Sequence, residues 1–241
     1  MSAYVSSKRL REAHHDSIAR ENRQMDVHGL PSWNPSTNFS DADTIIIAFR
    51  LLGDPEVDHW ANKYACKLTA QPDDVAPSGQ CCHAELMLQP QEGEWYRFSI
   101  MKKTGERLED GSIKFKPGLV HGIRTSAPEM KKYTFYRLTV PRSQQYYGWQ
   151  FLRAQLGAPF NMRAYVLNAL PFLKFGAGKT EGWMLERQKP WFCSEVITSA
   201  LHFMQIPEFM SLRPCDSSPN ALYRIGSLAN GLQPTCVVPI S

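Results

Sequence analysis

The strongest periodic signal in the chain is strict alternation of apolar and polar positions. In CHAELMLQ, residues 82–89, Ala84, Leu86 and Leu88 fall on one side of an extended strand, and His83, Glu85 and Met87 fall on the other. WYRFSIM, residues 95–101, follows across QPQEGE, and the two segments predict a β-hairpin. TIIIAFRLL, residues 44–52, is instead a continuous β-branched and apolar run, as expected of a buried strand. YTFYRLTV, residues 133–140, predicts a further strand, while the Gly, Pro and Lys content of 102–132 predicts an irregular or short-stranded insert.

Helical spacing occurs elsewhere. In DPEVDHWANKYACKL, Asp54-Pro55 marks a start, and Val57, Trp60, Ala61 and Tyr64 recur with helical period. Three more helices are predicted at 143–156, 161–173 and 193–204, separated by Gly157 and Pro159 and stopped by Pro207. A short helix at 219–225 and a last strand near CVVPI complete the reading. With strands mainly in the first part and helices in the second, the fold class is α+β. No internal repeat or low-complexity tract is present.

The first part of the chain differs from the rest. SSKRLREAHHDSIARENRQM, with Ser6 or Ser7 as cap, carries only a thin apolar face (Leu10, Ala13, Ile18, Met25), and LPSWNPSTNFSDAD has the Pro, Ser and Asn content of a linker. The expected organisation is an N-terminal arm and linker over 1–43 and a single domain over 44–241. Such an arm needs a protein partner, or the body of the protein, to stay ordered.

Composition narrows the class. Of 241 residues, 43% are hydrophobic and 11% aromatic, enough for a sizeable core and against global disorder. The net charge of +4 implies no nucleic-acid partner by itself. Residues 102–142 nevertheless hold ten Lys or Arg against four acids, a local net of +6. That face suits an anionic lipid surface, a phosphate-bearing ligand or an acidic protein, or is a solvated basic face that suppresses edge aggregation. It carries no nucleic-acid recognition motif, so a nucleic-acid partner is not expected. The N-terminus lacks an apolar h-region and the longest apolar run is far short of a membrane span. With Cys66, Cys81, Cys82, Cys193, Cys215 and Cys236 irregularly spaced, the expectation is an intracellular, cytoplasmic protein with free thiols.

Two residues stand out chemically. Cys193, in KPWFCSEVITSALHFM, precedes Val196, Ile197, Ala200 and Leu201 at helical period, which places it at or near a helix N-terminus. There the unpaired N–H groups and helix dipole favour thiolate over thiol, and the Cys193 N–H is available as an oxyanion donor. The alternative is a buried structural cysteine. His83 projects from the polar face of its strand, from where it can reach a thiolate on a helix end packed across it; the alternative is a structural histidine. Depending on register, either Ser99 or Arg97 of the partner strand is expected on the same side as His83, where a polar group would fix the imidazole tautomer. Cys81-Cys82-His83 has no second CxxC or HxxxH pair, so no metal site is read, and no cofactor site either.

The order CHAEL, WYRFSI, FYRLTV, a helix ending LGAPFN, WFCSEVITSAL and SPNALY resembles the circularly permuted NlpC/P60 group of the papain-like superfamily over roughly residues 44–226. Ordinary members run Cys, His, polar residue; permuted members run His, polar residue, Cys, as here. The resemblance implies a papain-like fold, an antiparallel sheet packed against a nucleophile helix. It assigns Cys193 as nucleophile, His83 as base and Ser99 as third residue, where permuted members more usually carry Glu and other relatives His or an amide. Glu195 matches as a support of the helix start. The implied chemistry is acyl transfer through a thioester, on a peptide, amide, isopeptide or acyl-lipid substrate, with hydrolysis or acyl transfer as outcome. The apolar segment YVLNALPFLKF, 165–175, reads as a lipid-facing lid or as an ordinary core helix. The rival expectation is an inactive papain-like domain serving as a structural or interaction component of an assembly.

Overall fold

The computed structural model describes residues 30–39, 41–53, 60–71, 80–100, 103–107, 113–117, 120–125, 133–161, 165, 190–230 and 235–236. In chain order the elements are β1 (Thr44–Leu51), α1 (Trp60–Thr69), β2 (Cys81–Gln91), β3 (Glu94–Ile100), β4 (Lys103–Arg107), β5 (Ile113–Pro117), β6 (Val120–Thr125), β7 (Thr134–Thr139), α2 (Arg142–Ala154), α3 (Cys193–Phe203), α4 (Pro219–Asn230) and β8 (Thr235–Cys236). Six strands join in the order β6-β3-β2-β1-β7-β8, each neighbouring pair antiparallel. β4 and β5 pair separately, so the insert is short-stranded and its last strand forms an edge of the main sheet. The fold class is α+β.

The alternation read from β2 determines how the sheet is covered. Ala84, Leu86 and Leu88 join Ile45, Ile47 and Phe49 of β1 in one core, closed by Trp149 and Leu152 of α2, Val196, Ile197 and Leu201 of α3, and Leu222 of α4. The opposite face carries a second cluster with Ile46, Ala48, Met87, Tyr133 and Phe135. β1 is thus buried on both faces, which is why its sequence is continuously apolar rather than alternating. Each of its fully buried isoleucines contributes about 1.5–3 kcal/mol by leaving water. Gly148 of α2 packs directly under the Met204 side chain at the end of α3, so a Cβ there would force that side chain to move.

The stretch expected to be a linker is packed on the body over its described part. Leu30 is buried in the main core, and Trp33 lies against Tyr146 and Trp149. Arg142, the first residue of α2, stacks on Trp33 with its guanidinium carbon 3.7 Å from the ring centroid and also faces Phe39. Its nitrogens donate to the carbonyls of Asn34 (2.7 Å), Gln89 (2.6 Å) and Pro90 (2.8 Å). One buried cation therefore ties residues 33–39, the end of β2 and the start of α2 together. Arg142→Ala removes these hydrogen bonds and the stacked cation from a buried site, and a loss of about 3 kcal/mol in urea unfolding is expected.

Helix limits differ from expectation in detail. The helix expected at 219–225 continues to Asn230. The helix expected from Asp54 is described only from Trp60. Most of the helix expected at 161–173 and of the proposed lid at 165–175, and residues 1–29 of the arm, lie outside the described residues.

Candidate active site

Cys193 is the first residue of α3. Phe192 caps the helix in an extended conformation (φ −114°, ψ 165°) and offers no side-chain cap, so the N–H groups of the first turn are not consumed by a capping oxygen. The approach to this position is fixed by the LGAPFN motif. α2 ends at Ala154, and Gly157 turns the chain with φ +81°, the left-handed conformation glycine adopts without steric cost. Gly157 N–H then donates to Val120 O (2.9 Å), and Val120 N–H to Ala158 O (2.8 Å), fastening the turn to the β6 edge. Phe160 forms a parallel bridge with Trp191. Trp191 N–H donates to Pro159 O at 2.9 Å, and Asn161 N–H to Trp191 O at 2.6 Å. Trp191, two residues before Cys193, is thus held by a backbone bridge, with its Nε1 donating to Gln155 Oε1 at 3.0 Å.

His83 stands beside a break in the register of β2. Arg50 pairs with His83 but Leu51 pairs with Cys81, so Cys82 is an extra residue, a bulge of the kind that re-aims a side chain. The β2–β3 ladder begins only at Leu86 opposite Phe98. Ala84 lies before it, and its backbone N–H donates to the Cys193 sulfur, as does the N–H of Ser194. The His83 ring is buried and hydrogen-bonded to Cys193. Its Nε2 lies 2.7 Å from Ser99 Oγ and 3.1 Å from Glu85 Oε1. The His83, Ser99 and Cys193 picked out from sequence are therefore brought together.

Two points of the sequence reading change here. Ser99 and Arg97 were expected as alternatives; separated by two residues on one strand, they share a face, and both point to the His83 side. And the third group on His83 is not Ser99 alone. Glu85, two residues along β2, supplies a buried carboxylate to the same nitrogen. Arg97 Nε lies 3.3 Å from Glu85 Oε2. Tyr133 Oη in turn accepts from Arg50 Nη2 at 3.0 Å and from Arg97 Nη1, and both guanidinium groups lie over the Tyr133 ring. The buried face of the sheet thus holds one carboxylate, Glu85, among three basic side chains, His83, Arg97 and Arg50, with the two arginines sharing one tyrosine.

The electrostatics follow from that set. Burial pushes the Glu85 carboxyl up, but the hydrogen bond and charge of His83, then Arg97 and Arg50, bring it down to about 2. An ionised Glu85 only accepts hydrogen bonds, so Nε2 of His83 carries a proton. That leaves Nδ1 for the thiol. Burial disfavours the imidazolium, yet the Cys193 charge and hydrogen bond, with Glu85, raise His83 to about 10. Burial likewise opposes the Cys193 thiolate, and His83 together with the Ala84 and Ser194 N–H groups outweighs it, so the thiol titrates below its ordinary range. These shifts favour a thiolate–imidazolium pair over the neutral pair.

The neighbouring thiols are treated differently. Cys66 and Cys82 pack against each other, and Cys82 donates to Arg50 O (3.3 Å) while Cys66 donates to Cys81 O (3.2 Å). The hydrogen bond with Cys66 and burial push the Cys82 thiol far above its ordinary range. Both line a small open cleft of about 20 Å³, together with Tyr165, Phe192, Ser194 and Ser218, and this cleft borders Cys193 on either side along the chain. Tyr165 spans it, its hydroxyl donating to Asn62 Oδ1 at 2.6 Å. Among the described residues, no cluster of His, Cys, Asp or Glu is arranged to hold a metal ion, and no helix is long and apolar enough to cross a membrane.

Glu85, Arg50 and Tyr133 were not singled out from sequence. Glu85 was placed on the His83 face by its spacing, which was the available signal; Arg50 and Tyr133 carried none. Glu195 is buried in the first turn of α3. Comparisons with protein-family models, with curated proteins and with solved structures find no match for this chain.

Proposed function

We propose that this protein is a thiol-dependent hydrolase or acyltransferase, built as a papain-like domain of the permuted NlpC/P60 type, acting on an amide, isopeptide or acyl-lipid bond. The observation that carries the reading is Cys193 at a helix N-terminus, hydrogen-bonded to a buried His83 whose Nε2 is held by Ser99 and Glu85. The order of the parts along the chain, base strand before nucleophile helix, supports the permuted assignment.

In this reading the Cys193 thiolate attacks the acyl carbon, forming a C–S bond and an oxyanion that faces the N–H groups at the start of α3. His83 Nδ1–H passes its proton to the departing nitrogen or oxygen as the bond to the acyl carbon breaks. The thioester that remains is attacked by water or another acceptor, whose proton returns to His83, and Cys193 leaves as thiolate. Glu85 and Ser99 keep the imidazole oriented, and the Glu85 charge stabilises the imidazolium in both half-reactions.

The experiment is covalent trapping. Incubation with p-nitrophenyl acetate is expected to leave an acetyl group on Cys193, found by mass spectrometry, with Cys66, Cys81 and Cys82 unmodified. Acetylation spread over the thiols, or absent from Cys193, sinks the reading and favours a domain that keeps the architecture as a component of a larger assembly.

A further inference from the structure

The SPNALY motif has no part in the chemistry above, yet the turn that opens it, Ser217–Asn220, bonds to residues beside both halves of the pair: Ser194, next to Cys193, and Cys81, two before His83. Pro219 and Asn220 open α4, with Ser218 as the cap: its Oγ accepts from the Ala221 N–H at 3.1 Å. The helix therefore needs nothing from Asn220, and asparagine is a poor helix former compared with alanine. Asn220 is nevertheless completely buried, and its side-chain bonds all leave α4. Its Oδ1 accepts from the Cys81 N–H at 2.9 Å, and its Nδ2 donates to Thr69 Oγ1 at 2.9 Å and to Cys66 O at 3.4 Å. Cys81 is two residues before His83 and next to the bulge at Cys82, and its carbonyl is taken by the Cys66 thiol. Both backbone groups of Cys81 are thus fixed. On the other side of the turn, Ser217 O accepts from Ser194 Oγ at 3.0 Å, immediately after the thiol, and Ser217 Oγ closes the turn on Pro214 O at 2.7 Å.

We propose that the Ser217–Asn220 turn is a clamp that sets the separation of Cys193 and His83, with Asn220 a positioning residue for the base and Ser217 for the nucleophile. The inference rests on the Cys193–His83 reading above and adds to it a group that touches neither substrate nor reacting atoms. The bulge makes such a device necessary. An extra residue next to His83 loosens the ladder where the ring must be held to a fraction of an ångström, and a side chain from α4 replaces the missing strand neighbour.

The test reads the rate of Cys193 alkylation by iodoacetamide across pH in the full-length chain. Asn220→Ala, checked for folding by circular dichroism, is expected to raise the alkylation midpoint by about one unit or more, roughly a tenfold loss of thiolate below both midpoints. Asn220→Asp keeps the acceptor for the Cys81 N–H and is expected to recover most of the shift. Leu222→Ala, a core truncation on the same helix with no bond to either half of the pair, is expected to loosen the fold while keeping the wild-type midpoint. An unshifted Asn220→Ala, or an equal shift in Leu222→Ala, overturns the clamp alone. A wild-type chain with an ordinary Cys193 midpoint overturns the pair and the clamp together. If Asn220→Ala does not fold, Ser194→Ala takes its place: an upward shift upholds the clamp, and an unshifted midpoint overturns it.

Discussion

Replacing His83 by alanine is expected to convert Cys193 from a thiolate at neutral pH to an unreactive thiol. The direction follows from the balance at the sulfur. Burial is the largest influence on Cys193 and acts against ionisation; the His83 charge and hydrogen bond are the next largest and reverse it. With the imidazole removed, two backbone N–H groups and the start of α3 remain, and these do not offset the loss of solvent around a group that is 3% exposed. The alkylation midpoint of Cys193 should therefore rise above the unperturbed thiol value of about 8.5, having started below it. Hydrolysis of an activated ester should fall by about a thousandfold, since both the ionised nucleophile and the proton donor for the leaving group are lost. Stopped alkylation with mass-spectrometric reading of each cysteine measures the first effect, and p-nitrophenyl acetate turnover the second. A His83→Ala protein whose Cys193 alkylates with the wild-type pH profile would show that the helix terminus alone sets the thiolate and would remove His83 from the mechanism.

The upper limit of the pH range follows from the same pair. The folded-state value of His83 is raised to about 10, so its contribution to stability is complete below the ordinary histidine range of about 6.5 and is lost as pH rises toward 10. Deprotonation above that value leaves a thiolate without its acid. Alkylation should then persist while ester and amide turnover declines, and this separation distinguishes loss of the acid from loss of the nucleophile.

How much of this was legible in the sequence depends on the range of the interaction. Period-two alternation fixed the faces of β2, since side chains of an extended strand have no freedom to choose sides. It put His83 and Glu85 together and Ala84, Leu86 and Leu88 in the core. The WFCSEV start of α3 was legible because bulky residues ahead of a helical apolar period mark a boundary. The role of Glu85 was missed for a specific reason. The third residue was sought on the next strand by chain order, where Ser99 lies, and the carboxylate came instead from the histidine's own strand. Arg142 shows the complementary failure. Trp33, Asn34 and Phe39 sit in a Pro-, Ser- and Asn-rich stretch whose composition reads as a linker. They are ordered by a cation more than a hundred positions away, and local pattern carries no trace of that contact. The bulge at Cys82 was equally hidden, because the register of β1 against β2 is a property of the pair.

Glu85→Gln is the substitution expected to act on fold and function at once. The glutamine keeps the shape and one oxygen near His83 Nε2, but it removes the negative charge at the centre of the buried face. Arg97, 3.3 Å away, and Arg50, both bonded to Tyr133, then remain as cations on that face without the Glu85 charge. Breaking one member of a buried ionic set costs about 3–5 kcal/mol, because the remaining charges stay desolvated, and a fall of that size in urea unfolding is expected near neutral pH. The pH dependence supplies a check on the cause. The folded-state value of Glu85 is lowered from 4.5 to about 2, so its stabilisation is complete above the ordinary carboxylate range and is lost as pH falls through that range toward 2. Wild-type stability should drop over this interval, and the difference from Glu85→Gln should shrink with it. At the reacting centre the imidazolium loses the carboxylate that favours it, so turnover should fall by roughly a hundredfold or more, and the Cys193 midpoint should rise by less than in His83→Ala. Ser99→Ala separates the two partners of Nε2. If it lowers turnover more than Glu85→Gln does at equal stability, the hydroxyl orients the base, and Glu85 serves the buried charge network instead.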